Sequence, residues 1–286
     1  MNNYLNIIKI SGGLANQMIQ YAFGVALEKC TGIQTVYDTA WFGNTKRQQT
    51  VRSFGLSVFN IPDRVFILFK KPSFLVRLVS KYHRIRQRSR HWNDFDPKLL
   101  QLPAGMNYIS GYFQNERYLD LVKDTLAERF TLKKPLNGEN LRLLNDIQKT
   151  TSVSIHVRRG DYIKFSDTYP VCSPEYYRQA MQIIESRVPS PHYFLFSDDI
   201  AWCKTHIKAD KPLTIVDVNS GENGYLDMEL MKNCRHNIIA NSSFSWMATY
   251  LNPNPDKIVI APQAWIKKNG EILPNIGLGE NINVCL

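Results

Sequence analysis

The stretch SVSIHVRRGDYIKF, residues 152–165, decides the fold class, because a buried strand runs there directly into a charged loop. Val153, Ile155 and Val157 alternate with small or polar residues, which is the pattern of a β-strand. The strand is followed by Arg158, Arg159, Gly160 and Asp161. In open parallel sheets, ligands bind outside the carboxyl ends of the strands. The sequence therefore predicts a ligand site at the end of this strand.

The C-terminal half alternates between short apolar runs and amphipathic segments. Strands are predicted at residues 153–157, 193–196, 213–216, 237–240 and 257–261. Helices are predicted between them, at residues 174–187, 199–207, 225–234 and 244–251. Such alternation is typical of βαβ units and of a parallel sheet covered on both faces.

The N-terminal half repeats the pattern less regularly. Strands are predicted at residues 4–10, 35–38 and 107–113, and helices at residues 16–32 and 115–130. The polar stretch KKPLNGEN, residues 133–140, contains Pro and Gly and is typical of a linker. We predict two α/β domains, residues 1–140 and 141–286, which face each other across a cleft.

Composition excludes several protein classes. The chain has 286 residues, a net charge of +10 and an ordinary apolar content of 44%. No apolar run approaches the roughly 20 residues that span a bilayer, and the N-terminus lacks the pattern of a signal peptide. The five cysteines are scattered, with no CxxC pair, which favours inert thiols in a reducing cytoplasm and no metal cage. No nucleic-acid-binding motif is present.

The excess positive charge is concentrated in residues 64–92. Nine Lys or Arg and no Asp or Glu lie between Arg64 and Arg90, which leaves 26 basic against 25 acidic residues elsewhere. The apolar residues of this segment have helical spacing: Phe74, Leu75, Leu78, Val79 and Tyr82. Two interpretations stay open: a solvated helix packed on the N-terminal domain, or a helix that docks on an anionic membrane surface.

The ends of the predicted strands carry polar, small or charged residues. They are Ser11, Gly12, Gly13, Asn16 and Gln17; Arg158, Arg159 and Asp161; Asp198 and Asp199; and Ser242, Ser243, Phe244 and Ser245. Paired arginines bind phosphate oxygens, and a helix that begins in a serine loop favours an anion. Carboxylates accept hydrogen bonds from ribose or guanine. Together these groups predict a nucleoside-diphosphate site.

Each group taken alone has a simpler interpretation. Gly12 and Gly13 fit a plain turn, and the two arginines fit a structural ion pair. Asp198, Asp199 and the serines fit helix N-caps. The chain lacks GxxxxGK[ST], and GGLANQ does not match GxGxxG, so the P-loop and that type of dinucleotide fold are disfavoured.

Three ordered motifs resemble glycosyltransferase family 11, the bacterial and animal α-1,2-fucosyltransferases. They are GGLANQMIQYAFGVAL at residues 12–27, HVRRGDY at 156–162 and NIIANSSFSWMATYLNP at 237–253. The FSDD segment at 196–199 and the stretch 225–239 also fit, so the resemblance covers about residues 7–265. Two departures are Ala15, where the family usually has glycine, and Met247, where it has a second tryptophan.

The resemblance implies a GT-B fold with two Rossmann-like domains and the donor held mainly by the C-terminal one. It implies GDP-β-L-fucose as donor, a galactose-terminated acceptor that includes lipid-linked forms, and inverting transfer without a required metal. Such an enzyme would act at the inner face of the cell membrane, in O-antigen or capsule synthesis. In this interpretation Arg158 and Arg159 stabilise the departing phosphate, and His156 orients an arginine or the loop.

Other points stay open. Asp161 and Asp167 are both candidates for the general base, and acceptor contacts are expected from residues 41–49 and 111–117. Two competing hypotheses are a GDP-fucose transferase that makes another linkage, and a non-catalytic basic protein that binds membranes or nucleic acid on a degenerate scaffold.

Overall fold

The structure is a computed structural model that describes residues 4–43, 50–69, 82–87, 93–268, 271–274 and 284–285. The chain divides into two compact units, Met1–Lys134 and Pro135–Leu286. This division lies within the predicted linker and before residue 140, because the helix that begins at Gly138 packs on the second unit.

Unit 1 contains a five-stranded parallel sheet in the order β3-β2-β1-β5-β4. Its strands are β1 (Leu5–Lys9), β2 (Thr35–Asp38), β3 (Phe66–Ile67), β4 (Tyr82–Arg86) and β5 (Met106–Ser110). Its helices are α1 (Leu14–Thr31), α2 (Glu116–Asp120) and α3 (Lys123–Arg129), with short 3₁₀ turns at Ala40–Gly43, Leu56–Val58, Asp63–Val65 and Pro97–Leu100.

Helix α1 is the central helix of unit 1 and follows the predicted pattern. It ends at Gly32, whose left-handed φ of 67° lets its N–H bond the carbonyl of Glu28. Its residues Met18, Ile19 and Ala22 are fully buried. The predicted helix start at Asn16 is two residues late, because the turn before it closes at Gly13.

Two predictions in unit 1 were wrong. Tyr82, expected in a helix, begins the edge strand β4, which pairs with β5 and exposes Arg84 and Arg86. The helix expected over residues 115–130 divides into α2 and α3, because Val122 leaves the helical conformation with φ −136° and ψ 23°. The rest of the segment proposed to dock on membranes, residues 70–81 and 88–92, lies outside the described residues.

Unit 2 contains a six-stranded parallel sheet in the order β13-β10-β9-β6-β7-β8. The strands are β6 (Thr151–Val157), β7 (Pro191–Ser197), β8 (Leu213–Val216), β9 (His236–Ile238), β10 (Val259–Ala261) and β13 (Val284–Cys285), and β11 (Ala264–Lys268) and β12 (Glu271–Pro274) form a separate hairpin. The helices are α4 (Gly138–Lys149), α5 (Gly160–Lys164), α6 (Pro174–Arg187), α7 (Ile200–His206), α8 (Gly224–Lys232) and α9 (Ser243–Leu251), with a 3₁₀ turn at Gly221–Asn223.

The core of unit 2 forms where α6 packs on the sheet. Val153, Ile155 and Val157 of β6 are fully buried with Tyr177 and Ile184 of α6. Burying one such side chain stabilises the fold by roughly 1.5–3 kcal/mol, so this layer holds β6 firmly against α6. The predicted alternation of strands and helices in this half is confirmed.

Candidate active site

The candidate site lies where the strand order of unit 2 changes direction. The chain adds β7 and β8 on one side of β6, and then β9, β10 and β13 on the other side. The carboxyl ends of β6 and β9 therefore flank a topological switch point, which is the usual ligand crevice of open α/β sheets. The RRGD loop follows β6, and the serine segment follows β9.

Arg158 is clamped between two carboxylates. Its Nη1 lies 2.7 Å from Oδ2 of Asp198 at the end of β7, and its Nη2 lies 2.5 Å from Oδ1 of Asp161 in α5. The side chains are only 22–28% exposed, so these pairs are partly shielded from water. The guanidinium carbon also lies 5.4 Å from the ring centre of Tyr162. The structure thus brings together Arg158, Asp161 and Asp198, as the strand ends predicted.

Arg159 is held in a different way. Its Nε donates to Oδ2 of Asp199 at 3.1 Å, and its guanidinium carbon lies 3.9 Å above the ring centre of Trp202. Its backbone N–H donates to Oδ1 of Asp198 at 2.9 Å. Among the described residues, neither Nη atom of Arg159 has a hydrogen-bond partner. The terminal donors of this guanidinium are therefore available to a ligand.

Asp198 and Asp199 have separate tasks. Asp199 caps α7, because its Oδ1 accepts from the N–H of Trp202, and it also pairs with Arg159. The capping interpretation is therefore confirmed for Asp199, and its part in a donor site stays a prediction. Asp198 caps no helix and instead joins the side chain of Arg158 to the backbone of Arg159.

His156 is a buried neutral residue. Burial, and secondarily the charge of Arg158, lowers its pKa from 6.5 to about 3. The ring lies 5.5 Å from that of Phe244, and the backbone carbonyl accepts from the hydroxyl of Tyr177. Its Nδ1 is buried without a partner among the described residues. The imidazole therefore offers a hydrogen bond and no positive charge at neutral pH.

The serine segment begins α9. Ser242 caps the helix by accepting from the N–H of Phe244, as the capping interpretation predicted. The hydroxyl of Ser245 is buried and donates to the carbonyls of Ala240 and Ser242. Ser243 and Phe244 are partly exposed at the first turn, where the positive end of the helix dipole favours an anion.

The two candidate bases differ in their surroundings. Asp161 pairs with Arg158 inside the cluster. Asp167 is exposed on the turn after α5 and makes no ion pair or side-chain hydrogen bond with a described residue. The structure therefore brings Asp161, and not Asp167, into the cluster.

Three further residues at this edge were missed by the sequence analysis. Trp202 supports Arg159, and Tyr162 donates to the carbonyl of Asn241 at 3.0 Å, which ties α5 to the segment after β9. Asp227, in the first turn of α8, accepts from Nδ2 of Asn219 at 2.7 Å, and burial raises its pKa to about 6. Only the contacts across the fold reveal these roles.

The predicted glycine-loop residues lie in unit 1 and are used largely by its own fold. Gly12 has a φ of 83°, which favours glycine. The buried amide of Gln17 donates to the carbonyls of Gly12 and Ser53 and accepts from the N–H of Gly55. Oδ1 of Asn16 accepts from Nε2 of Gln114. A Cβ on Gly13 would meet nothing within 4 Å, so this position faces open space.

The charge balance limits what the cluster binds. Three carboxylates, those of Asp161, Asp198 and Asp199, surround two guanidinium groups. Arg158 is already paired with Asp161 and Asp198, so the Nη donors of Arg159 and the start of α9 are the groups of this cluster suited to an anion. In the part of the chain that the structure describes, no group of three or more His, Cys, Asp or Glu is arranged to hold a metal ion, and metal independence stays a prediction.

Sequence comparison assigns the family. The model of glycosyl transferase family 11 matches residues 5–272. The chain belongs to this family. It is 32% identical to the alpha-1,2-colitosyltransferase of Escherichia coli, over 92% of both chains. It is 30% identical to the O-antigen biosynthesis glycosyltransferase WbnK of the same species, over 92% of this chain and 95% of the relative.

The chain also matches part of a mammalian protein. It is 28% identical to the galactoside 2-alpha-L-fucosyltransferase SEC1 of Bos taurus, over 56% of this chain and 46% of that protein. The chain therefore lies among fucosyl- and colitosyltransferases, and it is a glycosyltransferase of that group.

A solved structure supports the fold class. Fucosyltransferase NodZ from Bradyrhizobium superposes with a TM-score of 0.53 at 15% identity, over 88% of this chain and 95% of NodZ. With two parallel-sheet α/β units, the family 11 chain has the predicted GT-B fold. No helix among the described residues is long and apolar enough to cross a membrane.

Proposed function

We propose that the chain is a galactoside α-1,2-fucosyltransferase. It transfers L-fucose from GDP-β-L-fucose to the 2-hydroxyl of a terminal galactoside and inverts the anomeric centre. The observation that carries this proposal is the pairing of Arg158 and Arg159 with Asp198 and Asp199 at the switch point of unit 2. The linkage is supported by the α-1,2 relatives named above.

The reaction breaks the bond between fucosyl C1 and the β-phosphate oxygen and forms a bond between C1 and O2 of galactose. Negative charge accumulates on the departing GDP, so fixed donors near the β-phosphate stabilise the transition state. Arg159 supplies its two Nη groups, and Arg158 is aligned by Asp161 and Asp198. The 2-hydroxyl proton passes to Asp161, which is the candidate base inside the cluster.

The nucleoside of the donor requires neutral hydrogen-bonding groups as well as cations. Nδ1 of His156 is buried and without a partner among the described residues, so this neutral imidazole lies directly behind the Arg158–Arg159 loop with unused hydrogen-bonding capacity. A low pKa keeps this imidazole uncharged, which suits a nucleoside better than a phosphate.

GDP-colitose is a second candidate donor, because the chain is 32% identical to a colitosyltransferase. Colitose differs from fucose by the absence of the 3-hydroxyl, so both sugars present the same C1 and the same GDP. A site that hydrogen-bonds the 3-hydroxyl would reject GDP-colitose strongly, because a buried polar group would lose its partner. Direct competition between the two donors separates these functions.

The acceptor is proposed to belong to a bacterial surface polysaccharide, O-antigen or capsule. This rests on the O-antigen relative and on the basic charge of residues 64–90. We infer a lipid-linked acceptor and contact with the inner face of the cell membrane, and the basic charge supports that contact. Sedimentation with anionic vesicles at low salt tests the contact, and an absence of binding would contradict it.

The decisive experiment is a turnover assay with EDTA present. The protein is incubated with GDP-fucose or GDP-colitose and a panel of β-galactosides, and the linkage of the product is determined by NMR. An α-1,2-fucosyl product is expected, and Arg159→Ala is expected to reduce the rate about 100-fold or more. The exposed Arg142, paired with Glu139 and Asp146 on α4, provides the matched control Arg142→Ala.

Other products would change the proposal in defined ways. Transfer from GDP-colitose alone would show that GDP-colitose, and not GDP-fucose, is the donor. A different linkage in the NMR spectrum would show that another acceptor hydroxyl reacts. Turnover that EDTA abolishes would overturn metal independence. Salt-sensitive binding to random DNA with no affinity for GDP would instead support the non-catalytic hypothesis.

A further inference from the structure

Asn241 lies in the segment between β9 and α9 and is only 1% exposed. No role was assigned to it from the sequence, although it lies inside the third family motif. A buried amide must find partners for two N–H donors and for its oxygen. The contacts of Asn241 therefore show which parts of unit 2 it holds together.

The side-chain amide of Asn241 satisfies two peptide carbonyls. Its Nδ2 donates to the carbonyl of Pro170 at 2.8 Å and to that of Trp265 at 3.0 Å. Trp265 lies where the register of the β11–β12 hairpin shifts, and such a bulge leaves one residue out of the strand pairing. The thiol of Cys172 donates to Oδ1 of Asn241 at 3.7 Å. Both ends of this amide are thus used by the fold.

The two elements that the amide contacts are also bonded to each other. The N–H of Lys267 in β11 donates to the carbonyl of Thr168, in the segment after α5, at 2.8 Å. Tyr169 of this segment stacks on Tyr162 of α5, with 4.8 Å between ring centres. Asn241 therefore fastens β11, the segment after α5 and its own segment at one point.

The backbone of Asn241 connects this point to the candidate site. Its carbonyl accepts from the hydroxyl of Tyr162 at 3.0 Å, and Tyr162 directly follows the RRGD loop. The next residue, Ser242, caps α9. The loop that carries Arg159 and the start of α9 are therefore joined through Asn241.

We propose that Asn241 is a positioning residue that sets the spacing between Arg159 and the start of α9. A diphosphate that contacts both groups requires a fixed distance between them, because charge-assisted hydrogen bonds are short and directional. Asn241 acts through Tyr162 and Ser242 rather than by touching the phosphates. This inference rests on the proposed function, since it takes a GDP-linked sugar as the ligand.

The test uses the full chain with Asn241→Asp, which keeps Oδ1 and the size of the side chain but removes both N–H donors. The affinity for GDP, measured by isothermal titration, is expected to fall about ten-fold. The KM for GDP-fucose is expected to rise by a similar factor, and the KM for the galactoside is expected to stay unchanged.

The matched control is Asn252→Asp, at the opposite end of α9. Asn252 is 4% exposed, and its Nδ2 donates to the carbonyl of Cys234 and to Oδ1 of Asn237, each at 2.8 Å. It therefore loses the same kind of buried hydrogen bonds. A similar fall in melting temperature is expected for both variants, and a loss of GDP affinity only for Asn241→Asp.

Tyr162→Phe tests the backbone contact separately, and it decides the inference if Asn241→Asp does not fold. The loss of this hydroxyl is expected to weaken GDP binding about three-fold to ten-fold. The control is Tyr193→Phe, since the hydroxyl of Tyr193 on β7 donates to the carbonyl of Met181 inside the core. This control is expected to keep the wild-type affinity for GDP.

Two results would overturn the inference. In one, Asn252→Asp loses as much GDP affinity as Asn241→Asp, so that the loss follows stability alone. In the other, Asn241→Asp or Tyr162→Phe binds GDP as tightly as the wild type. If the wild-type protein binds GDP but transfers no sugar, the proposed function fails and the titrations still decide the inference. A wild-type protein without affinity for GDP would overturn both.

Discussion

Gly160 and Asp198 lie so close together that a Cβ on Gly160 would overlap Oδ2 of Asp198 and force this carboxylate to shift. The glycine of the RRGD loop therefore allows the carboxylate at the end of β7 to reach both arginines. Asp198 contacts the guanidinium of Arg158 with one oxygen and the backbone of Arg159 with the other. The positions of Arg158 and Arg159 therefore depend on the absence of a Cβ at residue 160.

Gly160→Ala is expected to weaken GDP binding about ten-fold or more, because Asp198 must shift and both of its contacts must change. Isothermal titration with GDP measures the effect. Gly224→Ala is the matched control, because Gly224 also begins a helix and a Cβ there would meet nothing within 4 Å. Equal GDP affinities for the two variants would contradict the steric argument.

Asp198→Asn is expected to reduce kcat/KM about 10-fold to 100-fold. The substitution keeps the size and one acceptor for the N–H of Arg159, but it removes the charge that aligns Arg158. The control is Asp217→Asn, since Asp217 is 58% exposed and pairs with Lys204 at 3.4 Å. A rate for Asp198→Asn as high as that of the control would show that the ion pair does not act in turnover.

Much of the fold was predictable because local and long-range signals agree. Helix α6 runs over Pro174–Arg187, as predicted, since Ser173 caps it, Pro174 begins it and Ile184 faces the core. Strand β4 was not predictable, because an edge strand rich in charge lacks apolar alternation. The break between α2 and α3 was not predictable either, because the helical spacing of residues 115–130 runs through Val122, whose backbone leaves the helical conformation.

The site was predictable where a rule of topology applies. Parallel strands bring their carboxyl ends to one edge, so Arg158, Arg159 and Asp198 were expected together and lie together. The partners that hold them were not predictable. Trp202 lies under Arg159, and Asn219 lies beside Asp227, only because of how the helices pack. Side-chain roles such as these depend on contacts across the fold.

Trp202→Leu is expected to weaken GDP binding about five-fold to ten-fold. The indole lies 3.9 Å under the guanidinium carbon of Arg159, and its loss leaves Asp199 as the side-chain partner of that guanidinium. Trp202→Phe keeps an aromatic face and is expected to recover most of the affinity. Isothermal titration measures both variants, and equal losses for Leu and Phe would show that the ring contributes only volume.

His156→Asn is expected to reduce the acid sensitivity of the fold. The pKa of His156 is lowered from 6.5 in the unfolded chain to about 3 in the folded chain, so the unfolded chain binds the extra proton. The stability from this group is complete above pH 6.5 and is lost as the pH falls toward 3, at about 1.4 kcal/mol per pH unit. The pKa of Asp227 is raised to about 6, so its contribution to stability increases as the pH falls. This contribution is the same in the wild type and in the variant.

Urea unfolding at pH 7 and pH 5 measures this difference. Between these two conditions the wild type is expected to lose about 2 kcal/mol more than His156→Asn. The control is His206→Asn, which removes an exposed imidazole on α7. If all three proteins lost the same free energy of unfolding between pH 7 and pH 5, His156 would accept a proton in the folded state. The assignment of His156 as a buried neutral imidazole would then be wrong.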